Sequence, residues 1–368
     1  MQKTVWDKYA DVLVNYSTDV QKGDLVLIKS ESYYAKDLVR AVYKKVLEKG
    51  ANPVVRSSYG DMAEIFLNMA TDEQLDYIDP MSELEYDVVD KYISIGAPLN
   101  TKSMAGVDLT KLSRRGKATK PLGEKLMKRS AEGKAKWVIA DVPTHALAQE
   151  AKMSFDEYSE FLFNSCYLNL DDPVAKLKEL DAKQENWVKH LDNVKTIHIT
   201  GEKTDITFNV EGRKWINCSG LNNYPDGEVF TSPVEDGING TIYFDLPQNY
   251  RGNSAKGVSL TIKDGKIIEA HAEQGEEFLN AMLDMDEGSR GIGEIAIGTN
   301  DEIQNVTGNI LFDEKIGGAI HMAAGASYPE TGGKNVSGLH WDLIKNMKNG
   351  GKIYADDKLI YENGKMLI

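Results

Sequence analysis

The sequence predicts two domains of different texture: an α/β half with a parallel sheet and crossover helices over residues 1–192, and a mainly antiparallel β half of α+β type over residues 193–368. Three observations carry that reading. In the first half, short apolar runs alternate with amphipathic stretches, the rhythm of parallel strands joined by crossover helices. From Lys195 onward the runs shorten, alternate with period two, and are punctuated by Asp-Gly and Asn-Gly. A chain of 368 residues also exceeds the size that one core usually organises.

Residues 4–17 predict a helix, because Val5, Tyr9, Leu13 and Tyr16 recur at helical spacing. LVLIKS (25–30) follows as a short apolar strand. Over 34–49, Leu38, Val39, Val42, Val46 and Leu47 form one apolar stripe, and Gly50 sits at its end. VVRSS after Asn52-Pro53, YISIGA (92–97) and KWVIADVP (136–143) continue as strands, while MAEIFLNMA (62–70) and the acidic segment after it continue as helices. No G-x-G-x-x-G follows the first strand and no Walker A motif occurs, so no nucleotide site is expected. Residues 154–192 read as two helices. The second is highly charged with a narrow apolar stripe, which suits a solvated connector, and the domain boundary is expected near its end. Beyond it, TIHITG, TDITFNV and KWINCSG are short strands, and one helix runs from Gly275 to Met285. Two hairpins turn at Asp264-Gly265 and Asn363-Gly364.

Charged residues at 27% and apolar residues at 41% describe a soluble globular protein. Basic residues number 43 against 57 acidic ones, and the net charge of −14 argues against nucleic acid or an anionic membrane as partner. Cys166 and Cys218 lie far apart with no C-x-x-C, which fits two buried thiols in a reducing compartment. The opening MQKTVWDKYADVLVNY carries Asp7 and Asp11 and no apolar h-region, so no signal peptide is expected. No run approaches 18 apolar residues, so no spanning helix is expected either, and a cytoplasmic location follows.

The chemistry concentrates between Gly291 and Asp342. His340 and Asp342 are two apart, so in an extended segment both leave the same face. Glu314, His321 and Tyr328 are each seven apart, which on a helix would stack them along one stripe, although Gly317, Gly318 and Gly325 weaken such a helix. Glu294 interrupts the apolar run IGEIAIG. Singly these are ordinary: an edge position or ion pair for Glu294, a turn for Tyr328 before Pro329. Jointly they suggest a metal cluster. NYPDGEVFTSPVEDGING (223–240) reads as a polar loop with Asp226, Glu228, Glu235 and Asp236, whose counter-charge is solvent, Arg251 or a bound cation. Beside the Glu294–Asp342 stretch, a cation is the better explanation. Two histidines with carboxylates and no thiolate suit zinc, cobalt or manganese. The carboxylates exceed what one tetrahedral ion needs, and two ions sharing a bridging carboxylate use them all. Such a pair supplies hydroxide near neutral pH and polarises a carbonyl, so amide or ester hydrolysis is the expected chemistry. No G-x-S-x-G elbow and no H-E-x-x-H occurs, and His145, His190, His198 and His271 are assigned no role.

With these residues in hand, the chain resembles the aminopeptidase T / aminopeptidase S family of dinuclear metallo-aminopeptidases. The likeness runs end to end and is sharpest in GEVFTSPVEDGING, GEIAIGTN, FDEKIGGAIHMAAG and GLHWD. It implies metal ligation by Glu228, Glu294, Glu314, His321, Tyr328, His340 and Asp342, with Glu294 bridging two divalent ions (zinc, cobalt or manganese). Glu314 departs from the pattern: the family's F-D-E-N segment places its glutamate five residues before the histidine, whereas Glu314 precedes His321 by seven. The resemblance further implies a metal-dependent aminopeptidase acting on short peptides through a metal-bridging hydroxide, a homodimer, and no other cofactor. Glu235 or Asp236 is the candidate general base or amine anchor. The alternatives are another dinuclear hydrolase, acting on an ester or cyclic amide, and a metal-free peptide-binding protein of the same fold.

Overall fold

The computed structural model describes residues 4–368, which part into two compact units. One comprises Met1–Ala175 with a returning segment, Gly220–Tyr224; the other comprises Lys176–Ser219 and Pro225–Ile368. The division comes earlier than the boundary expected after residue 192, and the reason lies in the helix Pro173–Leu191. It is no solvated connector. Trp187, Val188 and Leu191 lie in the hydrophobic core of the second unit, and Leu177 is fully buried. A narrow apolar stripe is enough for that docking, while the lysines and glutamates on the other face stay in water.

In the first unit, the four expected strands form one parallel sheet in the order Asn52–Ser57, Leu25–Ser30, Lys91–Gly96, Lys136–Asp141. A fifth, Asn223–Tyr224, joins the last edge from a segment that reads as loop in the sequence. The Tyr224 hydroxyl donates to the Cys166 carbonyl, and its ring meets Tyr9 edge-on at 5.3 Å. The expected N-terminal helix starts with a capping box between Thr4 and Asp7 and passes into a π-helical stretch over Val12–Ser17. Leu38, Ala41, Val42 and Val46 are buried on the amphipathic helix Lys36–Glu48. The acidic helices Asp72–Asp76 and Pro80–Val88 find their counter-charge on the long helix Leu109–Ala131, where Arg114 pairs with Asp72 and Asp76.

The second unit holds two large antiparallel sheets and a two-stranded one, Gln248–Tyr250 with Asn253–Ala255. The larger runs Lys266–His271, Val258–Lys263, Ile238–Phe244, Thr204–Asn209, Thr196–Gly201, Lys352–Ala355, Lys358–Glu362 and Lys365–Met366. Both residues of the Asp264-Gly265 and Asn363-Gly364 turns have positive φ, as the tight hairpin requires. Asp356-Asp357 makes a third such turn that the sequence reading passed over. The smaller sheet runs His340–Asn346, Ala319–Gly325, Ile292–Gly298, Glu228–Thr231 and Ile216–Cys218. Ile199, Phe208, Ile242 and Leu260 of the larger sheet share a core with Ile295, Ile297, Met322 and Leu343 of the smaller.

Two sequence expectations are corrected here. Residues 223–240 are not all loop, because Glu228–Thr231 is a strand buried at every position between Ile292–Gly298 and Ile216–Cys218. The helical stripe weighed for Glu314, His321 and Tyr328 does not form either. Ile310–Asp313 is one short helical turn, and His321 lies in a wholly buried strand, Ala319–Gly325, paired on both sides.

Gln184 ties the opening helix to the smaller sheet. Its buried amide nitrogen donates to the carbonyls of Cys218 and Glu228, and its oxygen accepts from the Thr299 hydroxyl at 3.3 Å. A buried acceptor left unsatisfied costs about 1–3 kcal/mol. Gln184→Ala is therefore expected to lower unfolding free energy by roughly that amount at unchanged m-value. Urea titration of the two proteins measures it, and a loss under about 0.5 kcal/mol would contradict this role for the amide.

Candidate metal centre

Strand register builds the cluster. In the smaller sheet Glu294 pairs with Ala323 and Ala323 with Asp342, while Ala296 pairs with His321, Gly325 with His340, and Gly298 with Glu228. Paired residues share a side of an antiparallel sheet, and alternate residues of one strand do too. Glu228, Glu294, His321, His340 and Asp342 therefore all leave one face. The intervening positions on that face include Ala296, Gly298, Ala323 and Gly325, small enough to leave the polar groups room. The opposite face carries Ile295, Ile297, Met322, Trp341 and Leu343 into the core. A central strand with a carboxylate on one side and isoleucines on the other explains why IGEIAIG reads as apolar with one interruption.

The seven sequence candidates converge. Glu294 presents Oε1 3.5 Å from His321 Nε2 and Oε2 3.4 Å from His340 Nε2, so its two oxygens face different imidazoles. Glu228 Oε2 is 3.3 Å from His321 Nε2, and Asp342 Oδ1 is 3.5 Å from His340 Nε2. Tyr328 brings its hydroxyl to 3.5 Å from His340 Nε2. Ligand-capable atoms of Glu314, His321 and Asp342 lie within 4.8 Å of one another, so Glu314 reaches the cluster despite its displaced spacing. The turn through Ile316–Gly318 bridges the longer interval, with Gly318 at φ +87°. Gly298 allows that turn to approach, since a Cβ there would lie 2.3 Å from the Ile316 carbonyl oxygen. Asp313 points elsewhere, accepting from the Thr307 amide and hydroxyl and the Gly308 amide.

Neighbouring groups orient the imidazoles. His340 Nδ1 donates to the Ala326 carbonyl at 2.9 Å, which in the neutral ring leaves the lone pair on Nε2. Asp286 holds the segment just before this strand, accepting from the Gly338 amide at 2.6 Å and the Ser337 hydroxyl at 2.8 Å.

One resident of the site escaped the sequence reading. Lys315 is buried, with Nζ 2.6 Å from Glu228 Oε1, 2.7 Å from Glu314 Oε1 and 3.7 Å from Asp226 Oδ1. The signal was available: between Gly291 and Gly333 it is the sole lysine or arginine. Protein groups thus supply part of the counter-charge of the 223–240 segment. Asp226 and Glu228 are buried from solvent and meet Lys315, while Glu235 is bound by Arg213 and by the Lys334 amide, each at 2.7 Å. Arg251 instead lies over the Tyr250 ring. With Glu235 held and Asp236 exposed, neither has a partner in the cluster among the described residues.

Do these residues fit a metal? Among the described residues, buried Glu228 Oε2, Asp342 Oδ1 and His321 Nδ1 have no hydrogen-bond partner. Two of these three are carboxylate oxygens turned into the cluster, where a cation would satisfy them. The electrostatics of the cluster agree. Burial opposes charge on His321, yet Glu294 and Glu228 outweigh it and raise the imidazole to about 9. Burial likewise opposes charge on His340, but Asp342 and Glu294 raise it to about 10. Glu294 is held down at about 2 because its bonds to both imidazoles outweigh its burial. Burial pushes Glu228, Glu314 and Asp342 up. Protons on the imidazoles thus take the place of cations, and a donor set of imidazole and carboxylate suits a divalent ion.

Known proteins resemble this chain along nearly its whole length. The chain is 28% identical to Aminopeptidase 2 of Geobacillus stearothermophilus, over 95% of this chain and 90% of that one. It is 26% identical to Aminopeptidase AmpS of Bacillus subtilis over the same shares. The solved structure of wild-type AmpT from Thermus thermophilus has the same fold, with a TM-score of 0.85 over 99% of both chains at 23% identity. The family described as thermophilic metalloprotease (M29) matches residues 2–366. A match of that extent settles membership: the chain belongs to the thermophilic metalloprotease (M29) family.

Proposed function

We propose that this protein is a metal-dependent aminopeptidase that removes N-terminal residues from short peptides with two divalent ions in its cluster. One observation carries the dinuclear reading: the two oxygens of Glu294 face separate donor sets, His321 with Glu228 on one side and His340 with Asp342 on the other. In this reading Glu294 would serve both ions, with Tyr328 as a neighbour of His340 and Glu314 as a neighbour of His321. The absence of a thiolate from both sets supports zinc, cobalt or manganese. Relatives named aminopeptidases favour peptides over esters or cyclic amides as substrate.

When bound, divalent ions supply Lewis acidity toward a carbonyl and an acidified water. The chain's own groups do the rest. Without the ions Tyr328 keeps its phenolic proton, since burial and then the surrounding carboxylates push it well above the ordinary range. It is therefore a hydrogen-bond donor toward negative charge developing on the substrate carbonyl oxygen. The Nδ1 contact to Ala326 keeps His340 from rotating. The partly exposed His340 and Tyr328 form the side from which a peptide enters.

A homodimer working in the cytoplasm completes the proposal. The exposed apolar row Tyr59, Met62, Ile65, Phe66 and Met69 on the first unit supports self-association, and two free thiols support a reducing compartment. No helix among the described residues is long and apolar enough to cross a membrane.

Three outcomes are expected. Glu294→Gln removes the anion between both donor sets and should lower metal occupancy at both positions, with activity falling by at least about a hundredfold, whereas His340→Ala should empty mainly one. Metal analysis and peptide hydrolysis on both variants decide this, and equal, small effects would contradict a shared bridge. Metal loading should also release close to two protons per chain at pH 7, because both imidazoles are protonated below about 9 and 10 in the metal-free protein. Affinity should accordingly rise with pH up to those values. Calorimetry in buffers of different ionisation enthalpy reads the release, and none at pH 7 would contradict it. Finally, acetylating a peptide removes the charged amine, whose hydrogen bond is worth about 1.5–3 kcal/mol. The kcat/KM of a free peptide should exceed that of its acetylated twin by roughly tenfold or more. Equal rates would favour the general amidase alternative.

A further inference from the structure

Cys218, Asp226 and Glu228 offer ligand-capable atoms within 4.8 Å of one another, beside the cluster and sharing Glu228 with it. The Lys315 ammonium touches two of the three, and its position is built into the backbone. The Asn300 amide donates to the Lys315 carbonyl at 3.1 Å, and the Gly317 amide donates back to the Asn300 carbonyl at 2.9 Å. Ile316 seats against Gly298, where any larger residue would collide. Nζ takes Glu228 Oε1, while Oε2 of the same carboxylate has no hydrogen-bond partner and faces His321 Nε2 at 3.3 Å.

We propose that Lys315 is a resident cation filling what would otherwise be a third metal pocket, so that the centre holds two divalent ions and Glu228 offers them a single oxygen. This rests on the metal-dependent reading above. Charge balance leads to the same place. Asp226, Glu228, Glu294, Glu314 and Asp342 are five carboxylates, and two divalent ions with one ammonium match them. Without the ammonium the buried face carries a surplus negative charge next to a thiol, and a further thiophilic ion is the simplest way to neutralise it.

The test uses the full chain, stripped of metal and titrated with cobalt(II). Bound cobalt is counted by elemental analysis after dialysis, and the near-ultraviolet thiolate-to-cobalt absorption reports whether Cys218 has become a ligand. The wild type should retain two ions with no thiolate band. Lys315→Met should retain three and gain the band, a signature that a merely structural lysine would not produce. Adding Asp226→Asn to Lys315→Met removes both a ligand and the surplus charge, and should return the count to two and abolish the band. If Lys315→Met folds only with metal present, refolding in cobalt followed by dialysis gives the same readouts. Two ions and no band in Lys315→Met, beside two in the wild type, would overturn this inference while leaving the metal centre intact. A wild type that retains no cobalt would overturn the metal-dependent reading itself.

Discussion

Ionised carboxylates leave water at a cost of several kcal/mol each unless cations meet them. The second unit buries several of them, Asp226, Glu228, Glu294 and Asp342 among them, on or beside one face of a five-stranded sheet. Much of the local architecture follows from that. Small residues alternate with the charged ones so that imidazoles can stand between carboxylates. An ammonium is inserted from a turn that only glycine at 298 admits. The opposite face is given over to isoleucine, leucine and tryptophan, so the sheet stays anchored while one side accepts electrostatic strain. The helix Pro173–Leu191 contributes an amide that fixes the strand bearing Glu228 at its backbone, leaving the side chain to the cluster.

Register carries this arrangement, and register is unforgiving. A slip of one residue in Ala319–Gly325 would turn His321 into the hydrophobic core and bring Ile320 or Met322 among the carboxylates. The pairing is fixed on both sides of every strand that carries Glu228, Glu294 or His321, so alternative registers have no free edge from which to start. Between Ile292 and Glu294 the register steps by one residue, a bulge of the kind that re-aims a side chain beside a site.

Much of this was legible in the residues. The first-half strands and helices announced themselves by period, and the His-x-Asp pair behaved as an extended segment must. Glu294 declared its importance by interrupting an apolar run. Other features were hidden for physical reasons. Glu314, His321 and Tyr328 share a spacing that fits a helix, and only pairing on both sides of Ala319–Gly325 decides for a strand. The segment around Glu228 looks like loop because proline, glycine and four carboxylates dominate it, while its burial depends on strands from distant parts of the chain. Asn223–Tyr224 is too short to show any period. Lys315 was passed over because a single lysine is ordinarily a surface residue, and nothing local says that three carboxylates will surround it.

The returning segment Gly220–Tyr224 carries a consequence for how the molecule is made. On the ribosome, the edge of Lys136–Asp141 emerges long before the strand that covers it, and Lys176–Ser219, which lie between them in the chain, belong to the other unit. Until Tyr224 arrives, the nascent sheet offers an open edge to any neighbouring chain. Neither unit is a contiguous stretch of gene, so a cut at residue 175 yields a first unit lacking its last strand and a second lacking nothing but carrying a stray one. Recombination that shuffles modules at single crossovers would therefore find no clean seam here, and the two units are bound to be inherited together.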